Sequence, residues 1–201
     1  MKLYHSPRSR SARVRWLLEE IGAPYEVVRL DLSKNEHKTP DYLKIHPHGV
    51  VPALVDGDLT LFESAAICAY LADKFPEQRL APPVGTPARG LYYQWMHYAM
   101  ATLEPPVLQV FLHTVRLPEE QRRPRVADDG RQRFAEVARV LSAALAGRRY
   151  ILGEQFSTAD VMLGSTLGWA QGLGLLAEAP ELQAYVRRLS ERPAFQRAQA
   201  D

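Results

Sequence analysis

The chain has 201 residues, of which 46% are hydrophobic and 24% charged, with one cysteine, Cys68. That length fits one large domain or two small ones, and the balance excludes a disordered or fibrous chain; a lone cysteine excludes an internal disulfide framework or a cysteine-rich zinc site and points to a reducing, cytoplasmic compartment. The formal net charge of +2 is too small to make nucleic acid the expected partner.

Lys2 to Tyr4 predicts a short strand. Ser6 and Pro7 break it, and Val14, Leu17, Leu18 and Ile21 recur at helical spacing until Gly22 stops the helix. Lys2 and four arginines precede Glu19, the first acidic residue. That basic start is a candidate anion site, and it also stands where a secretory signal would need its apolar stretch. Tyr25 to Leu32 predicts a second strand, and Asp41 to Ile45 at most a short helix. Pro52 to Val55 and Leu59 to Phe62 flank Asp56-Gly57-Asp58, a pair of antiparallel strands joined by a tight Asp-Gly turn. Ser64 opens a helix that runs through Phe75 and ends at Pro76. The predicted order is βαβαββα over residues 1–77. A Pro- and Gly-containing connection follows at 78–87.

Residues 88–201 then predict an all-helical domain, with apolar periodicity at Leu91 to Leu103, Phe134 to Leu145, Val161 to Gly174 and Glu181 to Leu189. Pro105-Pro106 should kink or interrupt the first of these. Between Thr114 and Arg133 six arginines are offset by four carboxylates, the pattern of a solvated surface. Ser157 and Asp160 form a capping box at a helix start, with Phe156 and Val161 as its apolar staple. The longest charge-free run, between Asp160 and Glu178, is short of the roughly 18 residues of a spanning helix and contains several glycines, so no membrane segment is expected. His97 and His113 have no metal-ligand partners at suitable spacing, and no metal site is expected.

Three places could carry chemistry. The loop from Tyr4 to Arg13 joins a strand to a helix N-terminus, where unpaired amides and the helix dipole favour an anion, and Ser9 or Ser11 there either caps the helix or donates to a bound thiolate or phosphate. Pro52 opens a strand where no ladder donor is needed, so Val51 could pair its backbone with an extended peptide. Glu63-Ser64 opens another helix, where a carboxylate and an anion-receiving terminus suit the two charges of an α-amino-acid head.

Taken together, Ser-Pro-x-Ser, Glu36-His37-Lys38-Thr39-Pro40, His46-Pro47-His48-Gly49-Val50-Val51-Pro52-Ala53-Leu54 and Asp56-Gly57-Asp58-Leu59-Thr60-Leu61-Phe62-Glu63-Ser64-Ala65-Ala66-Ile67 resemble the cytosolic glutathione S-transferase family, in its serine-type bacterial and plant (phi, theta and beta-like) branches. The capping box after Gly153 matches that family's second domain. The resemblance implies a thioredoxin-like α/β domain that binds glutathione, an all-helical domain that takes a hydrophobic electrophile, and a homodimer. Val51, before a cis Pro52, would pair with the cysteinyl backbone of glutathione; Glu63 and Ser64 would hold the γ-glutamyl head, and His37 and Lys38 would face the glycyl carboxylate. The sulfur would lie over the first loop.

That loop departs from the family pattern. Aligned without gaps on Arg13-Val14, the plant-type catalytic serine falls on Arg8; aligned from the strand through Pro7, it falls on Ser9. Another branch has cysteine where Arg10 stands, and Ser11 matches a serine used elsewhere. Ser9 is the first choice and Ser11 the second, with Arg8 or Arg10 as a charge donor to sulfur. Val50 replaces a common Gln or Lys. Trp95, Tyr98, Met100, Thr102, Phe111 and Trp169 are candidates for the electrophile side. The expected activity is thiolate attack on an electrophile, in a detoxifying role; the alternatives are a glutathione-dependent disulfide or peroxide reductase and a non-catalytic binding protein with the same fold.

Overall fold

A computed structural model describes residues 1–200. The chain divides into two compact units, one formed by residues 1–81 together with 191–201 and the other by residues 82–190.

The first unit is built on four strands, β1 (Lys2–His5), β2 (Glu26–Arg29), β3 (Ala53–Asp56) and β4 (Leu59–Phe62), in the order β2-β1-β3-β4. β1 and β2 are parallel, and β3 runs antiparallel to both β1 and β4. Parallel neighbours require a crossover, supplied by α1 (Ser11–Ile21). Its apolar stripe, Val14, Leu17, Leu18 and Ile21, is buried, and Gly22 ends it in the left-handed conformation with its N–H bonded to the Leu18 carbonyl. The Asp56-Gly57-Asp58 hairpin forms as its turn chemistry predicts, with Asp56 paired to Leu59. The helix α3 (Ser64–Lys74) buries Ile67, Cys68 and Leu71.

β2 is shorter than the alternation of Tyr25 to Leu32 suggests. The Asp31 carboxylate accepts from the Ser33 amide at 2.9 Å, and the Asp31 amide donates to Glu36 at 2.7 Å, so local turn bonds take the chain out of the sheet. A short helix α2 (Pro40–Leu43) follows, capped by Thr39.

In the second unit α4 (Pro87–Tyr98) leads into a π-helical stretch at Ala99–Leu103, and α5 (Glu104–Phe111) begins there. Pro105 and Pro106 occupy the first turn of α5, where a missing N–H costs least; the predicted interruption takes the form of this wider helical stretch. Three further helices follow in the unit: α6 (Pro124–Leu145), α7 (Thr158–Gly172) and α8 (Pro180–Ser190). Among the described residues no helix is long and apolar enough to cross a membrane.

The capping box at the start of α7 is present and larger than the local pattern implies. The fully buried Asp160 carboxylate accepts from the Ser157 amide at 2.8 Å and its hydroxyl at 2.9 Å, from the Ile151 amide at 2.8 Å and from the Tyr185 hydroxyl of α8 at 2.6 Å. Burial pushes this carboxyl above its ordinary value, and the four donors oppose that shift. Removing the acceptor leaves buried donors unpaired, so Asp160→Ala should destabilise the protein by about 3 kcal/mol or more, read as a lower urea midpoint.

The closing helix α9 (Pro193–Gln199) packs on α1. Arg192 makes a two-pronged bond to Glu20 at 2.6 and 2.8 Å, Trp16 donates to the same carboxylate, and the Trp16 and Phe195 rings meet edge to face at 4.9 Å. Glu19 accepts from Arg197 and Tyr25. Burial alone would raise the Glu19 pKa, but these hydrogen bonds outweigh it and hold the carboxyl below its usual 4.5. A carboxyl depressed by folding stabilises above its unfolded value and loses that contribution as pH falls through the folded one. Protection of α9 amides from hydrogen exchange should therefore drop below pH 4.5 before the sheet amides lose theirs.

Candidate active site

The register assembles the site. Ala53, the first residue of β3, pairs with Tyr4 near the end of β1 and with Phe62 at the end of β4. The serine loop after β1, the Val51-Pro52 step before β3 and Glu63-Ser64 after β4 therefore leave the sheet at the same end. Arg13, buried in α1, reaches across with its guanidinium 3.4 Å from the Ser64 hydroxyl.

The Val51-Pro52 peptide bond is cis, and both residues are buried. The ladder of β3 begins only at Ala53. The loop before it is braced from below: the Tyr42 hydroxyl donates to the Val50 carbonyl at 2.6 Å, and Tyr42 packs with Tyr4 at 5.3 Å between ring centres. Burial, aided by neighbouring Tyr4, raises the Tyr42 pKa and keeps this hydroxyl a donor.

His37 and Lys38 lie against the same loop. Lys38 donates to the His48 carbonyl at 2.9 Å, and Gly49, at φ +55°, packs so closely that a Cβ there would sit 2.5 Å from the His37 carbonyl. The His37 ring keeps a solvent-shielded Nδ1 that has no partner among the described residues. Glu63 is exposed and holds φ 72°, ψ 110°, a conformation a non-glycine residue adopts only under constraint from its surroundings; Ser64 beside it is buried.

In the first loop Ser9 is half-buried and Ser11 fully buried. Their hydroxyls are 2.6 Å apart, Ser9 donates to the Ser6 carbonyl at 2.6 Å, and Ser11 lies 2.7 Å from Nδ1 of buried His5. The helix-cap position itself belongs to Arg10, whose side chain makes no cap bond. Arg8 is exposed at φ 55° and lines a cavity of about 280 Å³ with His5, Pro7, Ala12, Ala198 and Gln199.

Two participants escaped the sequence reading. His5 follows Leu3 by two positions, so strand alternation places it on the buried face, and Arg13 precedes Leu17 by one helical turn, on the buried stripe of α1. Cys68 is buried, and burial pushes its thiol up to about 12 against the opposing pull of Arg13, so it stays protonated. Among the described residues no group of three His, Cys, Asp or Glu side chains could hold a metal ion. In the helical unit Trp95 is buried against Tyr98, while Phe111 and Trp169 are half-buried and meet edge to face at 5.3 Å.

A family model of the glutathione S-transferase N-terminal domain matches residues 1–73, and one of the glutathione S-transferase C-terminal domain matches residues 120–188. The chain belongs to the glutathione S-transferase family. It is 32% identical to Glutathione S-transferase 3 of Zea mays over 100% of this chain and 93% of that protein. It is 33% identical to Glutathione S-transferase GstA of Escherichia coli O157:H7 over 98% of this chain and 96% of that protein. A sphingomonad glutathione S-transferase solved in complex with glutathione superposes with a TM-score of 0.87 at 31% identity, covering 99% of this chain and 97% of that one. Glutathione transferase F7 from Populus trichocarpa superposes with a TM-score of 0.88 at 28% identity, covering 98% and 96%.

Because Gly49 combines a left-handed φ with contact against the 36–38 turn, Gly49→Ala should displace that turn and cost about 1 to 3 kcal/mol, measured by chemical denaturation.

Proposed function

We propose that the protein is a glutathione transferase in which glutathione lies extended along the edge before β3, its sulfur at the serine loop. The observation that carries this reading is the shared sheet end at which the cis Val51-Pro52 step, Glu63-Ser64 and Ser9 all emerge. Val51 pairs with the cysteinyl backbone. Glu63 accepts from the γ-glutamyl ammonium while the start of α3 and Ser64 receive its carboxylate. His37 and Lys38 face the glycyl carboxylate.

A free thiol has a pKa of about 8.5, so at neutral pH most of it is protonated and a poor nucleophile. The Ser9 hydroxyl donates to the thiolate, and the N-terminus of α1 adds a favourable field, so the proton leaves to water more readily. The sulfur then forms a C–S bond with the electrophile, whose leaving group departs or whose new carbanion takes a proton from water. Ser11 has no exposed surface and acts on the sulfur only through Ser9. With its one thiol buried, the protein has no cysteine of its own suited to disulfide exchange, which favours conjugation over a disulfide reductase that works through its own cysteine. A homodimer, a cytoplasmic location and a detoxifying role complete the proposal, supported by the family and the single reduced cysteine.

Steady-state conjugation of glutathione to an activated aryl halide tests this. Ser9→Ala should lower kcat by about 10- to 100-fold with little change in the glutathione KM, the signature of a bond that strengthens as charge develops. Glu63→Gln should instead raise that KM. A fully active Ser9→Ala variant would move the role to an arginine of the loop.

A further inference from the structure

We propose that His5 is a positioning residue that sets the direction of a hydrogen-bond chain, His5 to Ser11 to Ser9, so that the Ser9 proton is left for the sulfur; this rests on the transferase reading above. The groups in the chain compete for too few protons. Four short contacts need a side-chain hydrogen: Ser9 to the Ser6 carbonyl at 2.6 Å, Ser9 to Ser11 at 2.6 Å, Ser11 to His5 Nδ1 at 2.7 Å and Ser11 to the Ser6 carbonyl at 3.1 Å. The two hydroxyls supply one hydrogen each.

With Nδ1 protonated, the three shorter contacts each have a hydrogen and only the longest, Ser11 to the Ser6 carbonyl at 3.1 Å, goes without. The Ser11 oxygen accepts from His5 and from the Ser6 amide at 3.1 Å, which fills its two lone pairs and leaves its own proton to donate to Ser9. The Ser9 oxygen in turn accepts from that hydroxyl and from the Ser11 amide at 3.2 Å. Its lone pairs are then filled, and its proton is free to move from the Ser6 carbonyl to a bound sulfur. With Nδ1 bare, Ser11 must donate to His5, and the 2.6 Å contact between the serines then draws on the Ser9 proton, the one the thiolate requires.

Burial makes the direction matter. His5 is 1% exposed and Ser11 0%, so water does not substitute for either partner, and Ser9 alone carries the chain to the surface. Linked donors in such surroundings strengthen one another. His5 touches no reacting atom; it acts through the serines.

The ring nitrogens of 15N-histidine-labelled, unliganded protein report the tautomer directly. A protonated Nδ1 on His5 supports the proposal, and a bare Nδ1 overturns it, whatever any variant does. In conjugation kinetics His5→Leu should lower kcat about tenfold with the glutathione KM within about twofold and raise the apparent pKa of the bound thiol by about one unit, while His5→Asn, which keeps an N–H near the Nδ1 position, should recover most of the loss. An unchanged kcat in His5→Leu, or equal losses in the Leu and Asn variants, overturns the relay and leaves His5 a packing residue. If His5→Leu fails to fold, the tautomer and His5→Asn decide. A wild-type protein that conjugates nothing overturns the transferase reading instead, and the tautomer of the unliganded protein still answers for the chain's direction.

Discussion

The pairing of Ala53 with Tyr4 on one side and Phe62 on the other is the constraint on which the site depends. Three segments far apart in the chain carry the groups that matter, and none of them has a binding surface alone. Strand register brings them to one end of the sheet. A shift of one residue at β3 would turn Ala53 and Leu54, both buried, to opposite faces and would separate the Val51-Pro52 step from the serine loop. The same apolar burial that holds the core thus fixes the spacing of the site.

Support for this edge comes from groups that do not face a ligand. Tyr42 holds the Val50 carbonyl, Gly49 lets the 36–38 turn close on the loop, and Arg13 approaches Ser64 from the buried side of α1. Two exposed residues, Arg8 and Glu63, sit at positive φ at the margins of the site. Such conformations persist where the surroundings over-determine them, and both border the segments that would touch glutathione. The packing of the first unit holds these two locally unfavourable geometries in place.

Much of this was legible in the residues. The stripe of α1, the Asp-Gly hairpin and the start of α7 each follow from local rules: helical spacing, a turn that demands positive φ, and a serine and carboxylate three residues apart. The second strand was over-extended because alternation from Tyr25 to Leu32 hides the turn bonds of Asp31. At the candidate site, the proline-led start of β3 and the helix start at Ser64 were visible as residue type and position. The serine loop was ambiguous for a physical reason: Ser9 and Ser11 are alike in sequence and differ in burial, which depends on what packs over the start of α1.

The sequence alone determined the βαβαββα order of the first 77 residues, the helical periodicity that follows the Pro- and Gly-containing connection at 78–87, and the family, because those depend on periodicity, turn residues and contiguous motifs. The tertiary structure alone decided that α9 returns to pack on α1, that Tyr185 completes the acceptor set of Asp160, and that His5 stands behind Ser11 and Ser9. Those contacts join residues from different elements, and a carboxylate, a hydroxyl or an imidazole carries no mark of which distant donor it will meet until the core has closed around it.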